Sequence, residues 1–135
     1  MIDTNGTCLK EILTLDIVDW KSTYSNHIHE IQEIFGIEAA AAVLFHELRT
    51  VLCFDGSHVD QRHIAMVVDN MCHYGYLMAL SRHGWNKTSA GFLQRASFEE
   101  TCEMLLDAAI FSEKNSMNGV TENIFVGQLP PIGSV

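Results

Sequence analysis

The first constraints come from what this chain lacks. Its 135 residues hold only four cysteines, Cys8, Cys53, Cys72 and Cys102, widely separated and without a CxxC pair. That spacing suits neither a zinc ribbon nor the disulfide framework of a small secreted domain, so a reduced, intracellular setting with buried cysteines is expected. No apolar run approaches the length of a membrane span, and MIDTNGTCLKE is not a signal peptide. Basic residues are scarce: eight Lys and Arg stand against seventeen Asp and Glu, a formal charge of −9. Domains that bind nucleic acid generically are basic overall, which argues against that class.

Several chemistries lack their signatures. His46-Glu47 does not complete H-E-x-x-H, because position 50 is Thr50. His27 and His29 form H-x-H, and His58 and His63 flank a helix start. Neither pair has a third ligand at a defined spacing, so surface or capping histidines are expected and no metal on this chain. There is no G-x-S-x-G, and Cys102 lies in an acidic helix where a thiolate is not favoured. Glu99, Glu100 and Glu103 read as partners of a helix N-terminus rather than as an acid/base pair. GQLPPIG has neither the lysine nor the strand–helix setting of a phosphate loop. No catalytic residue is assigned.

What is present is apolar and helical. Hydrophobic residues make up 47% of the chain and mean hydropathy is +0.09. A domain of this length buries roughly two-thirds of its unfolded surface. The apolar excess therefore fills a helical core or lies against a larger partner, as in an obligate subunit. The chain reads as one domain over 1–135, mainly α with minor β. Residues 2–20 look irregular or strand-bearing, with a turn at Asn5-Gly6. A helix follows from Ser22 or Ser25 to Phe35, with Ile28, Ile31 and Ile34 or Phe35 on one face, and Gly36 interrupts it. The next runs from Ile37 to about Phe54 on a stripe of Ala41, Leu44, Leu48 and Val51 or Leu52. Asp55-Gly56-Ser57 ends it. Asp60 caps a helix over Gln61–Cys72 with Ile64, Val67 or Val68, and Met71 inward. Tyr76 to Ser81 reads as a strand. Ser97 with Glu100 reads as a capping box opening a helix to about Ser112, with Phe98, Cys102, Leu105 and Ala109 inward. A short helical turn is expected around Val120 to Phe125, and Pro130-Pro131 imposes an extended exit.

The charge distribution is uneven. No acidic residue lies between Asp69 and Glu99, while Arg82, Lys87 and Arg95 all do, with His73 and His83. A basic, glycine-bearing segment hung from a helix suits contact with a polyanion such as a nucleic-acid backbone. The alternative is ordinary solvated surface on a stand-alone helical interaction or histidine-based metal module.

The wording of this stretch goes further than its charge. RHGWNKTSAGFLQRASFEET (82–101), then Ala108-Ala109 and GVTENIFVGQLPPIGS (119–134), resembles the C-terminal end of the largest subunit of multisubunit DNA-dependent RNA polymerases, called β′ in bacteria. GIEAA (36–40), DGSHV (55–59), RH-A (62–65) and SRHG (81–84) recur in the eukaryotic form in this order and at nearly these spacings. The resemblance covers essentially the whole chain.

That resemblance implies a clamp-base fold, in which the segment matching Ser81 to about Glu103 is a switch that contacts template-strand phosphates as the clamp closes. Carried over by position, Arg82 and His83 are the best candidates for DNA contact, with Lys87 and Arg95 as weaker ones. Gly84 and Gly91 would give the switch backbone freedom. Phe98, Leu105 and Leu106 would anchor it. Nucleotidyl transfer needs clustered carboxylates on Mg²⁺. The family's metal-holding D-F-D-G-D has no counterpart here, so the resemblance implies a non-catalytic piece whose large partner subunit holds Mg²⁺. Two departures stand out: Gln94 replaces a usually hydrophobic residue, and Ile132-Gly133-Ser134-Val135 replaces P-x-G-T-G, just before the segment that meets the ω-type subunit in cellular enzymes. A start after the mobile trigger element resembles the separately encoded small RNA polymerase subunit of yeast cytoplasmic linear (killer) plasmids. The implied partners are the large catalytic subunit and template DNA, with no membrane. The implied location is cytoplasmic for a linear plasmid or virus, and nuclear for a fragment of a cellular enzyme.

Overall fold

The computed structural model describes residues 2–88 and 90–133, and every regular element among them is helical. The mainly α expectation holds. Residues 76–81, read as a strand, are irregular, and the lead-in, read as irregular or strand-bearing, is irregular apart from a short helix, α1 (Leu9–Ile12). The chain divides into two compact units, Met1–Met78 and Ala79–Val135.

The first unit is built on α2 (Ile28–Phe35), α3 (Ile37–Leu52) and α4 (Gln61–Cys72). α2 starts later than expected because His27, not a serine, caps it: its Nδ1 accepts from the Glu30 N–H at 3.1 Å. Gly36 separates α2 from α3 at φ 91°, ψ −179°, a conformation closed to most L-residues. α2 packs on α3 and α3 on α4. One apolar cluster is Leu9, Ile31 and Ala40; the other is Leu44, Ile64 and Val68. Ile28 packs against both, so they form a continuous core. The expected stripes hold, with Ile34 rather than Phe35 and Val68 rather than Val67 turned inward, except at the end of α3, where Val51 and Leu52 are both exposed.

Polar contacts fix the boundaries. Asp60 Oδ1 accepts from the Arg62 N–H at 2.9 Å, so α4 begins where the sequence placed it. Ser57 Oγ donates to the Leu52 carbonyl at 2.6 Å and closes α3, with Gly56 in the left-handed region at φ 75°. Glu30 also accepts from the Leu9 N–H, tying α1 to α2. Tyr24 donates to Glu47; partial burial and that carboxylate push its phenol up to about 12.

The second unit holds a 3₁₀ turn (Trp85–Lys87) and three helices, α5 (Phe92–Phe98), α6 (Thr101–Ile110) and α7 (Val120–Val126). α5 packs against both α6 and α7. Here the helix expected from Ser97 to Ser112 is corrected. Ser97 lies inside α5, where its Oγ donates back to the Gln94 carbonyl at 2.7 Å, and the chain breaks at Glu100 with φ 57° before α6 starts. The inward residues of α6 are Met104 and Ala108; Cys102, Leu105 and Ala109 are exposed, as is Phe98 on α5. None of the four cysteines is buried, against expectation. The altered ending falls partly outside the described residues, at Ser134 and Val135.

Asp60→Ala is expected to destabilise the full chain by about 1 kcal/mol, with Asp60→Asn near wild type. Denaturant unfolding of the three proteins checks this, and equal midpoints for Ala and wild type refute the cap.

Candidate nucleic-acid interface

The basic turn is closed by its own backbone. The Gly84 and Trp85 N–H groups both donate to the Ser81 carbonyl, at 3.0 and 2.8 Å, and Lys87 and Thr88 donate to Gly84 and Trp85. Thr88 Oγ1 adds a bond to the Trp85 carbonyl at 2.8 Å. The result is a short, tight bend with Arg82, His83 and Lys87 exposed and Asn86 buried.

The cations expected in this stretch separate by environment. Arg82 is 53% exposed at its side chain and reaches Glu100 Oε1 at 3.2 Å. Lys87 and His83 make no ion pair among the described residues. Arg95 is only 18% exposed. Its Nη2 donates to both carboxylate oxygens of Glu113, at 2.7 and 2.8 Å, and its Nη1 reaches the Asn86 carbonyl at 3.5 Å. Arg82 and Lys87 therefore present charge outward with His83 exposed beside them, whereas Arg95 is engaged inside the unit.

Glu113 owes its position to the end of α6. Ser112 adopts φ 52°, the Glu113 N–H donates to the Ala108 carbonyl at 2.9 Å, and the chain reverses with a left-handed cap. Beyond it the loop is laced to α7. Asn115 Oδ1 accepts from the Met117 N–H at 2.9 Å, and Asn123 Nδ2 donates to the Met117 and Gly119 carbonyls at 2.7 and 2.8 Å. The buried Glu122 carboxylate accepts from the Gly119 N–H at 2.9 Å, satisfying an otherwise open donor at the start of α7. Sequence reading missed Glu113, Asn115 and Glu122. The last was detectable as a glutamate three residues past a glycine at a helix start.

Neither expected switch glycine lies in the left-handed region: Gly84 has φ −104° and Gly91 φ −57°. Gly91 has a different reason to be glycine. A Cβ there would lie 2.0 Å from Glu122 Oε1 and 2.6 Å from Asn115 Nδ2.

Other chemistries find no geometry. No group of three or more His, Cys, Asp or Glu side chains that could hold a metal ion forms among the described residues, so these side chains do not fit a Mg²⁺ site. The Cys8 thiol is pushed up by its contact with Glu11, and half-buried Cys72 chiefly by partial desolvation, away from nucleophilic thiolate character. No helix is long and apolar enough to cross a membrane among the described residues.

A family model, RNA polymerase Rpb1, domain 5, matches residues 1–93. That span is more than half of the chain and includes the first unit and the basic turn. The chain belongs to this family. It is thus a C-terminal region of the largest subunit of a DNA-directed RNA polymerase, a component of a nucleotidyltransferase complex that assembles with other subunits. The Rpb1 domain 5 match ends inside α5, before Arg95.

Gly91→Ala must displace a carboxylate that is buried and already holds the α7 start, so a loss of roughly 1–3 kcal/mol is expected. Gly84 sits at φ −104°, a backbone conformation open to any L-residue, so Gly84→Ala is expected within about 0.5 kcal/mol of wild type. Unfolding curves of the full chain decide between them, and equal losses would remove the close-approach explanation.

Proposed function

We propose that this chain completes the base of the mobile clamp in its polymerase and meets template-strand phosphates through Arg82, His83 and Lys87. The observation that carries this reading is the closed turn at Ser81–Thr88, which projects three basic side chains from the longest acid-free stretch of an acidic chain. Arg82 illustrates the chemistry. Its partner Glu100 offers an exposed ion pair worth at most about 1 kcal/mol, which a phosphate oxygen can replace. Glu100 then acts as a placeholder for the anion. The carboxylates that hold Mg²⁺ belong to the large partner subunit, and the chain contributes positioning rather than chemistry.

The apolar surface supports an obligate subunit over a stand-alone module. Leu106, Ile110 and Phe111 of the second unit and Val51, Phe54 and Met66 of the first are all more than half exposed, more apolar surface than a lone small domain leaves to water. A separately encoded subunit of a cytoplasmic linear-plasmid polymerase suits these features together with the motif order of the chain.

The test uses the assembled polymerase with Arg82→Ala and Lys87→Ala combined. Assembly is expected to persist while template retention falls. The slope of log affinity against log salt should drop by about 0.7–0.9 for each lost phosphate contact. Unchanged retention and slope in an intact complex would refute the assignment.

A further inference from the structure

We infer that Arg95 is a positioning residue: with Glu113 it latches the basic turn to the body of the second unit and does not itself bind nucleic acid. The inference rests on the reading above for what the turn does, and goes beyond it in assigning how the turn is held.

Three observations converge on this. Arg95 is mostly buried and its guanidinium is directed at groups of its own unit: both oxygens of Glu113 and the carbonyl of Asn86. Asn86 is the middle residue of the 3₁₀ turn and is 8% exposed, so the turn is anchored through its one enclosed residue while Lys87 next to it stays outside. Glu113 is fixed by the left-handed reversal at Ser112, and the loop it begins is bonded to α7, so the pair joins the turn to a braced support. An arginine released to reach a phosphate would leave Glu113 without its partner and the turn without this tie. Arg82, by contrast, gives up only an exposed pair.

The two roles for Arg95 predict opposite signs for one substitution. Glu113→Ala removes a negative charge beside the basic segment. If Arg95 binds phosphate, losing the competing carboxylate strengthens template retention or leaves it unchanged. If Arg95 is a latch, the turn loosens and retention falls, as it does for Arg95→Ala. Arg95→Lys sharpens the contrast, because lysine serves a phosphate as a point charge but lacks the planar fork whose two nitrogens reach the carboxylate and the carbonyl separately.

The experiment measures amide hydrogen exchange over residues 81–88 and template retention in the assembled polymerase. The variants are Glu113→Ala, Arg95→Lys, Arg95→Ala and the charge swap Arg95→Glu/Glu113→Arg. Exchange roughly tenfold faster in all three single variants is expected, the size of losing a charge-assisted tie, with retention lowered and both restored in part by the swap. Wild-type exchange in Glu113→Ala, or retention equal to or above wild type with Arg95→Lys unaffected, overturns the latch. The exchange readout needs no DNA, so it judges the latch even if the Arg82/Lys87 double variant shows that the turn does not meet the template.

Discussion

The second unit depends on one constraint: among its described residues, the only buried apolar side chains are alanines. The buried side chains there are Ala96 and Ala108 together with Asn86, Glu122 and Asn123. Two alanines supply little hydrophobic stabilisation, so directed polar contacts must set the geometry. Arg95 to Glu113, Glu122 to Gly119 and Asn123 to Met117 and Gly119 do this, and each joins segments that apolar packing leaves loosely defined. Such networks specify one arrangement sharply but lose much when a single member is removed, because the remaining group stays buried without its partner. Gly91 belongs to the same constraint, since a side chain there would occupy the space of the Glu122 and Asn115 groups.

The first unit follows the opposite rule. Its interior is a continuous apolar core that runs through Ile28 from α1 to α4, and polar groups act at helix ends rather than at the centre. Yet both units leave large apolar side chains in water, with Ile17, Phe54 and Leu129 nearly fully exposed. For a member of the Rpb1 domain 5 family the explanation is physical as well as genealogical. Exposed apolar surface of this extent is what a chain that assembles with other subunits carries.

Legibility in the sequence tracks these two modes. α3 and α4 were readable because their apolar periodicity and, for α4, the Asp60 cap agree. α2 was readable in its centre, but its start depended on a histidine acting as a cap, a rarer choice than the serines nearby. The Ser97-x-x-Glu100 pattern misled, because Phe92, Leu93 and Ala96 already begin a helix that runs through Ser97 and leaves Glu100 to form the break. A strand at residues 76–81 had no partner strand to pair with, and β-propensity alone cannot supply one. The basic stretch itself was legible from charge and motif. Which of its cations face outward was not, since Glu113 lies 18 residues beyond Arg95 and only the reversal at Ser112 brings them together.

If the basic turn meets a polyanion as proposed, that division of labour explains how an acidic chain can carry such an interface. With a net charge of −9, long-range attraction cannot come from the chain as a whole, so local presentation has to replace it. Local presentation needs a rigid bend whose cations are either unpaired among the described residues, as Lys87 is, or held only in an exposed pair, as Arg82 is with Glu100. Rigidity in turn needs an internal tie that does not compete for the ligand. An arginine suits such a tie because it stays charged and its planar fork offers separate nitrogens to a carboxylate and a carbonyl, where lysine has a single nitrogen. On the proposed reading, Arg82 and Arg95 are alike in sequence and opposite in use because one acid-free stretch must both offer positive charge and stay fixed while offering it. The difference in their exposure, 53% against 18%, marks where presentation ends and support begins.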